Sequence, residues 1–306
     1  MSNLRDNELK IKEMQQELSS LNPECDEYKA LAAKLYEFKK ETYKDLSHWD
    51  KVCIARSPER LKAKVLIDKL ITDFFEIHGD QLFSDDQSII AGIGFLDEIP
   101  VTVLAQAKGT NTEESIRRNF GMTSPEGFRK TLRLAKEAEK FNRPIVTIVD
   151  TSGAYPGKGA EERGQARAIA QNIMEFSKLR VPVVAIVLSE GGSGGALALT
   201  VSDYVFMFEN ATYSVLSPEG FSSILFKNSK TAEEAANIMK LTSHDLKEIG
   251  VVDEILYEPL GGIKVPNDDY VEQLRHKISK RIKKLQKTNL EELLEDRYNK
   301  FRKIGL

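Results

Sequence analysis

Val181-Pro182-Val183-Val184-Ala185-Ile186-Val187-Leu188-Ser189-Glu190-Gly191-Gly192-Ser193-Gly194-Gly195-Ala196-Leu197-Ala198 decides the fold class. Its first part, 181–188, is an apolar, β-branched run of the kind found in parallel strands covered on both faces. Its second part, 191–195, is rich in glycine, and its third opens a short apolar helix over 196–201. Strand, glycine turn and helix in that order are the unit of an α/β sheet, whose ligands bind beyond the carboxyl ends of the strands.

The same order extends upstream. Ile145-Val146-Thr147-Ile148-Val149 is another buried-strand run, followed by a glycine-rich loop over 152–159 and a helix over 165–178. Before it, Ser124, Pro125 and Glu126 are an N-cap, a first-position proline and a first-turn acid, so a helix is expected over 125–141. Apolar runs over 89–95 and 101–105 flank Asp97-Glu98-Ile99-Pro100, which predicts a β-hairpin. Downstream, short strands are expected over 204–208 and 213–216, and Ser217-Pro218-Glu219-Gly220 opens another helix. Ser-Pro-Glu-Gly-Phe occurs at 124–128 and again at 217–221, which is helix-start chemistry used twice rather than a repeat architecture. Alternation of strands and helices predicts a mainly parallel sheet with right-handed crossovers.

The ends read differently. Leu9, Ile11, Met14, Leu18 and Leu21, then Tyr28, Leu31, Leu35 and Phe38, mark two amphipathic helices broken at Asn22-Pro23. Their apolar stripes need cover from the domain or from a partner chain. The tail over 270–304 carries Val271, Leu274, Ile278, Ile282, Leu285 and Leu293 at helical spacing among lysines, arginines and glutamates. The division expected is an N-terminal helical arm over 1–46, a central domain over 47–262 and a C-terminal helical extension over 263–306.

Over 306 residues, 44 basic and 47 acidic side chains leave a net charge of -3, which supplies no global field for nucleic acid or an acidic membrane. Hydrophobic residues make up 41% and charged residues 30%, a soluble chain with a real core. Cys25 and Cys53 offer neither a disulfide framework nor a zinc site. The charged N-terminus lacks the apolar segment of a signal peptide, and no run reaches membrane-spanning length, so a cytoplasmic protein is expected.

Two glycine-rich segments are candidates for chemistry. In Asp150-Thr151-Ser152-Gly153-Ala154-Tyr155-Pro156-Gly157-Lys158-Gly159 the pair Gly157-Lys158 resembles the end of a P-loop, but Gly159 stands where Ser or Thr is required. Segment 189–195 fails the dinucleotide fingerprint, with Leu197 at the third glycine position. It does match G-x-S-x-G around Ser193, the nucleophile elbow of hydrolases, for which Asp203, Asp245 or Asp253 and His244 or His276 would have to complete a triad. A third use needs no nucleophile. At a helix start the Gly194 and Gly195 amides lack intrahelical acceptors and no Cβ shields them, which makes an oxyanion hole. Tight packing of a small helix on the sheet explains the same glycines equally well.

Longer blocks resolve the choice. Arg117-Arg118-Asn119-Phe120-Gly121-Met122, Pro125-Glu126-Gly127-Phe128-Arg129-Lys130, Gly153-Ala154-Tyr155-Pro156-Gly157 and Ala160-Glu161-Glu162-Arg163-Gly164-Gln165 resemble, in order, the α subunits of bacterial acetyl-CoA carboxylase carboxyltransferases. Glu190 to Ala198 and Tyr213-Ser214-Val215 with Ser217-Pro218-Glu219-Gly220 continue the resemblance, which extends from about Asp45 to Gly262.

The resemblance implies an α/β, crotonase-like fold of stacked ββα units. It implies a biotin-dependent transfer of carboxylate from carboxybiotin, held in trans on a biotin carboxyl carrier protein, to acetyl-CoA, giving malonyl-CoA for fatty acid synthesis. The partners implied are a zinc-ribbon β subunit in an α2β2 assembly, the carrier, and biotin carboxylase in the full complex, with no metal in this chain and neither membrane nor nucleic acid as a partner. By similarity, the Gly194 and Gly195 amides stabilise charge on the biotin ureido oxygen, while Gly153, Ala154, Tyr155, Gly157 and Lys158 line the same pocket more weakly. The mechanism implied releases CO2 near these amides, forms the acetyl-CoA enolate on the β side and returns the proton to the biotin nitrogen. Glu161 and Glu162 then need only order the loop, and Arg117 and Arg118 are open to a partner, the carrier or CoA phosphates. The alternatives are a stand-alone crotonase-fold hydratase, lyase or decarboxylase, and a scaffold subunit without catalysis.

Overall fold

A computed structural model describes residues 4–227 and 231–305. In chain order the elements are α1 (Leu4–Ser20), α2 (Asp26–Thr42), α3 (His48–Arg56), α4 (Ala63–Leu70), β1 (Thr72–Glu76), β2 (Ile89–Leu96), β3 (Ile99–Gln106), α5 (Thr112–Arg117) and a 3-10 turn at Asn119–Gly121. Then come α6 (Pro125–Lys140), β4 (Ile145–Thr151), α7 (Lys158–Glu162), α8 (Gln165–Phe176), β5 (Val183–Gly192), α9 (Ser193–Thr200), β6 (Tyr204–Phe208) and β7 (Thr212–Ser214). The chain finishes with α10 (Pro218–Leu225), α11 (Ala232–Met239), α12 (Ser243–Glu248), β8 (Glu254–Leu256), α13 (Asp268–Leu285) and α14 (Leu290–Lys303).

One mixed sheet runs β1-β2-β3-β4-β5-β6-β8, with β7 added on β5. β1, β2 and β3 are antiparallel, and the predicted hairpin pairs Ile90 with Ala105 and Gly94 with Val101. From β3 onward every pair is parallel, in the register Val103, Val146, Val184 and Tyr204. Alternate side chains serve two cores. Val103, Val146 and Ile186 face α4 and α13 through Leu66, Ile67, Ile278 and Ile282. Leu104, Ile145 and Val149 face α6, α8 and α9 through Phe128, Leu134, Phe176 and Leu199. Apolar cover on both faces is why β4 is buried at every position and reads as a continuous run.

Two expected boundaries move. β5 continues through Gly191 and Gly192 instead of ending at Leu188, because Tyr213 and Ser214 of β7 and Thr151 of β4 give those glycines ladder partners. The following helix therefore begins at Ser193 rather than at 196. The 152–159 loop contains the first residues of α7. At the ends, α1 and α2 pack on each other and meet the body at Lys12–Glu59, while α13 contributes Val271, Leu274 and Ile278 to the main core. No helix among the described residues is long and apolar enough to cross a membrane.

Candidate active site

At Ser193 the chain leaves β5 and enters α9 with φ 55°, a left-handed conformation that costs a residue bearing a Cβ about 1–2 kcal/mol. The turn swings the first amides of α9 beyond the end of the strand. Gly192 is the N-cap and no side chain caps the helix. Gly194 and Gly195 are the second and third helical residues, so no acceptor lies behind them within the helix. Among the described residues neither amide donates to a turn, a loop or a side chain.

The two glycine segments lie against each other. A Cβ on Gly192 would stand 2.1 Å from the Ser152 carbonyl oxygen, and one on Gly195 would stand 2.6 Å from the Ala154 nitrogen. The 153–155 segment is braced from behind. Ala154 bridges to Thr123, the Tyr155 amide donates to the Thr123 carbonyl at 3.0 Å, and Gln165 Nε2 donates to the Thr123 and Tyr155 carbonyls at 2.8 and 3.0 Å. Buried Gln106 donates to the Gly195 carbonyl at 2.8 Å, tying β3 to the first turn of α9.

Ser193 and Gly194 line a cavity of about 770 Å³ whose walls include Leu197, Tyr213, Val215, Phe221, Leu246 and Phe301. It is largely apolar, so an amide at its wall acts in a medium that screens charge poorly. Tyr213 is half-buried there with its hydroxyl 2.7 Å from Thr200 Oγ1, and loss of solvent pushes its phenol above the ordinary value, so it stays neutral.

The remaining expected site residues fall in different places. Gly153, Ala154 and Tyr155 come directly beside Gly192 and Gly195. Gly157 caps α7 under the Tyr155 ring. Lys158 extends into solvent, 91% exposed, with Glu162 as its ion-pair partner at 3.5 Å. Ser193 has its motif's strained backbone, but among the described residues no base is hydrogen-bonded to its hydroxyl. His48 Nε2 is engaged with Asp245 at 2.9 Å, and His244 Nδ1 lies 3.4 Å from Lys51 Nζ. No group of three or more metal-ligating side chains occurs among the described residues.

A partly buried charge cluster beside the glycines was not anticipated. Lys108, just past β3, reaches Glu190 Oε2 at 2.5 Å and Asp150 Oδ1 at 3.2 Å. Arg56 holds the other oxygen of Glu190 at 2.7 Å and grips Glu219 at the start of α10 at 2.6 Å. Burial disfavours the Lys108 ammonium, but Asp150 and Glu190 outweigh it and hold its pKa above the ordinary lysine value. Burial likewise works against Glu190, where Lys108 and Arg56 prevail and hold its carboxyl below the usual range. The sequence signal was faint: Asp150 and Glu190 lie near the ends of apolar strands, while Arg56, Lys108 and Glu219 carried none.

The family profile described as acetyl co-enzyme A carboxylase carboxyltransferase-like matches residues 2–305. The chain belongs to that family. Acetyl-coenzyme A carboxylase carboxyl transferase subunit alpha of Clostridium botulinum (strain Alaska E43 / Type E3) is 52% identical over 259 residues, 85% of this chain and 94% of its own. The protein of the same name from Geobacillus thermodenitrificans (strain NG80-2) is 48% identical over 297 residues, 97% of this chain and 91% of its own. The carboxyltransferase reading is thereby favoured over a stand-alone hydratase, lyase or decarboxylase, and this family member is a transferase subunit.

Solved structures share the fold at low identity. Transcarboxylase 12S with methylmalonyl-coenzyme A and methylmalonic acid bound superposes with a TM-score of 0.61 at 18% identity, covering 77% of this chain and 43% of that one. A Pseudomonas malonate decarboxylase hetero-tetramer in complex with coenzyme A gives 0.57 at 17% identity, covering 69% and 84%. The fold is crotonase-like, as the resemblance implied.

Proposed function

We propose that this chain supplies one half of a two-subunit carboxyl-transfer site, in which the Gly194 and Gly195 amides receive negative charge developing on the ureido oxygen of carboxybiotin. The observation that carries the reading is a pair of unpartnered first-turn amides, one of them at the wall of a large apolar cavity. The cavity volume lies in the range of small-molecule sites, and its apolar walls suit a fused, largely hydrophobic ring system.

Carboxybiotin would supply the carboxyl group and arrive on a separate carrier protein. The work left to this chain is electrostatic. Preorganised donors need no reorientation as charge builds, and one such donor is typically responsible for about 10²–10³ in kcat. Apolar walls exclude the water that would compete for the oxyanion. Gly153, Ala154 and Tyr155 shape the site by holding Gly195 in place, and Lys158, out in solvent, has no part in the charge-stabilising step in this reading. The acyl-CoA acceptor, acetyl-CoA, would be held by a β-type subunit in an α2β2 assembly working in the cytoplasm toward fatty acid synthesis. The names of the relatives and the two-subunit neighbours support that part.

The decisive variants are at Gly194, where an added Cβ would meet only Ile169 Cγ2 at 3.4 Å. Gly194→Ala keeps the amide and Gly194→Pro removes it where no intrahelical hydrogen bond is lost, with assembly of the complex checked for both. With the complex of this chain and its β-type partner, malonyl-CoA-dependent carboxylation of biocytin should fall roughly a hundredfold in kcat from Ala to Pro. Equal turnover of the two would refute the donor role. Vigorous exchange by this chain alone would refute the two-subunit site.

A further inference from the structure

The partly buried charges beside the glycines connect what the candidate site needs connected. Asp150 is the penultimate residue of β4, two positions before the 152–155 segment, and Glu190 precedes Gly191 in β5. Both carboxylates meet one ammonium, that of Lys108, whose side chain is mostly but not fully buried. Neither Asp150 oxygen has an aligned hydrogen-bond donor, so Lys108 is the cation that balances it at short range. The arrangement is also roofed. Asn119, Phe120 and Gly121 adopt φ 47°, 54° and 80°, three left-handed residues in succession, and a Cβ on Gly121 would stand 2.8 Å from the Asp150 carbonyl and 2.9 Å from Lys108 Cγ. A strained turn of this kind persists only where its surroundings hold it. Here it rests on Lys108 and Asp150.

We propose that Lys108 is a positioning residue for carboxyl transfer: by bridging Asp150 and Glu190 it sets the spacing between the β4 and β5 ends, and so the aim of the Gly194 and Gly195 amides. In this proposal its ammonium, engaged by Asp150 and Glu190, acts through them and not on the substrate. Pure structural glue would need only a charge balance in the same space. A positioning role needs the contact to Glu190 as well, since Glu190 is the covalent neighbour of the glycine segment. The proposal rests on the oxyanion reading above.

The test uses the complex with the β-type partner and two variants, followed by biocytin carboxylation from malonyl-CoA and by melting temperature. Lys108→Met with Asp150→Asn removes one charge of each sign and leaves Glu190 its Arg56 partner. This charge-matched pair should assemble and melt close to wild type while kcat falls about tenfold or more, because sub-ångström misplacement of a site is costly. KM for malonyl-CoA should stay within about twofold, since the acyl-CoA is held elsewhere in this reading. Lys108→Arg, which can still bridge both carboxylates, should recover most of the turnover. Wild-type kcat in the charge-matched pair overturns the proposal. So does its failure to assemble, or a kcat loss that follows the fraction of folded complex, since each makes the role structural. The Gly194→Pro to Gly194→Ala ratio, measured in parallel, reports separately whether the oxyanion reading itself stands.

Discussion

Arg297→Met should be the most damaging single change at the C-terminal end of the chain, and its cost can be worked from the contacts. Arg297, in α14, is fully enclosed and reaches Asp203 with Nε and Nη2 at 2.7 and 2.8 Å. Its other donors go to the carbonyls of Phe176, Leu179 and Val181 at 2.9, 2.8 and 3.0 Å. Asp203 also accepts from the Val183 amide at 2.6 Å, so the cluster holds the first residue of β5, the strand whose far end carries the glycines. Burial drives the Asp203 carboxyl above its ordinary value, and Arg297 recovers only part of that shift. Methionine would leave the carboxylate enclosed without a cation, a loss of about 3–5 kcal/mol. For a chain of this size that is a fall of roughly 5–8 °C in melting temperature. Calorimetric scans at one fixed rate are the assay, because large chains often unfold irreversibly. Adding Asp203→Asn to the variant keeps an oxygen for the Val183 amide and removes the stranded charge. The double variant should therefore melt above the single one, with a coupling of at least about 1 kcal/mol. A single variant within about 2 °C of wild type, or a double variant worse than the single, would refute the reasoning.

Other outcomes follow from the same geometry. Gly195→Ala pushes a methyl toward the Ala154 nitrogen at 2.6 Å, so it should lower stability by about 1–3 kcal/mol and reduce turnover, read by melting and by biocytin carboxylation. Ser193→Ala should leave carboxylation essentially unchanged, since among the described residues no histidine is hydrogen-bonded to its hydroxyl; abolished turnover would restore the nucleophile reading. The Lys108 cluster has a defined pH window. Glu190, held low, contributes stability above its unfolded value near 4.5 that disappears as pH falls through the lower folded value. Lys108, held high, contributes stability below its unfolded value near 10.5 that disappears as pH rises through the higher folded value. Asp150, Arg56, Glu219 and Lys62 surround the pair, and burial lowers Lys62. The charge-matched Lys108 variant and the wild type should thus give kcat–pH profiles of the same shape between about pH 6 and 9. A limb present only in the wild type would make Lys108 an acid or base.

The strands that frame the site were legible because both faces of β4 and β5 need apolar cover, and a period-free apolar run follows directly from that demand. The glycines were legible for the opposite reason: where backbones approach to within 2.1 Å of an added Cβ, as at Gly192, only one residue type is possible. What escaped was pairwise. Arg56 and Glu190 are 134 residues apart and Lys108 and Glu190 are 82 apart, so each looks alone like an ordinary solvated charge. Nothing local distinguishes Lys108 from exposed Lys158, yet one is mostly buried beside the site and the other stands in water. β1 escaped because it is an edge strand with Thr72, Asp73 and Phe75 exposed, and so carries no apolar alternation to detect.

Ser193 shows how a motif and its environment divide the work. A strained serine between a strand and a helix is the geometry that presents a nucleophile, and the φ of 55° is present here. The same left-handed step also rotates the next two peptide planes away from the strand ladder and leaves their hydrogens without acceptors. In a site with an imidazole at hand that strain would serve the hydroxyl. With His48 held by Asp245 and His244 beside Lys51, the strain instead leaves two first-turn amides without partners among the described residues, that of Gly194 at the wall of an apolar cavity. In the proposed reading the turn therefore acts less through its serine than through Gly194 and Gly195, whose missing side chains would let an oxygen reach the backbone.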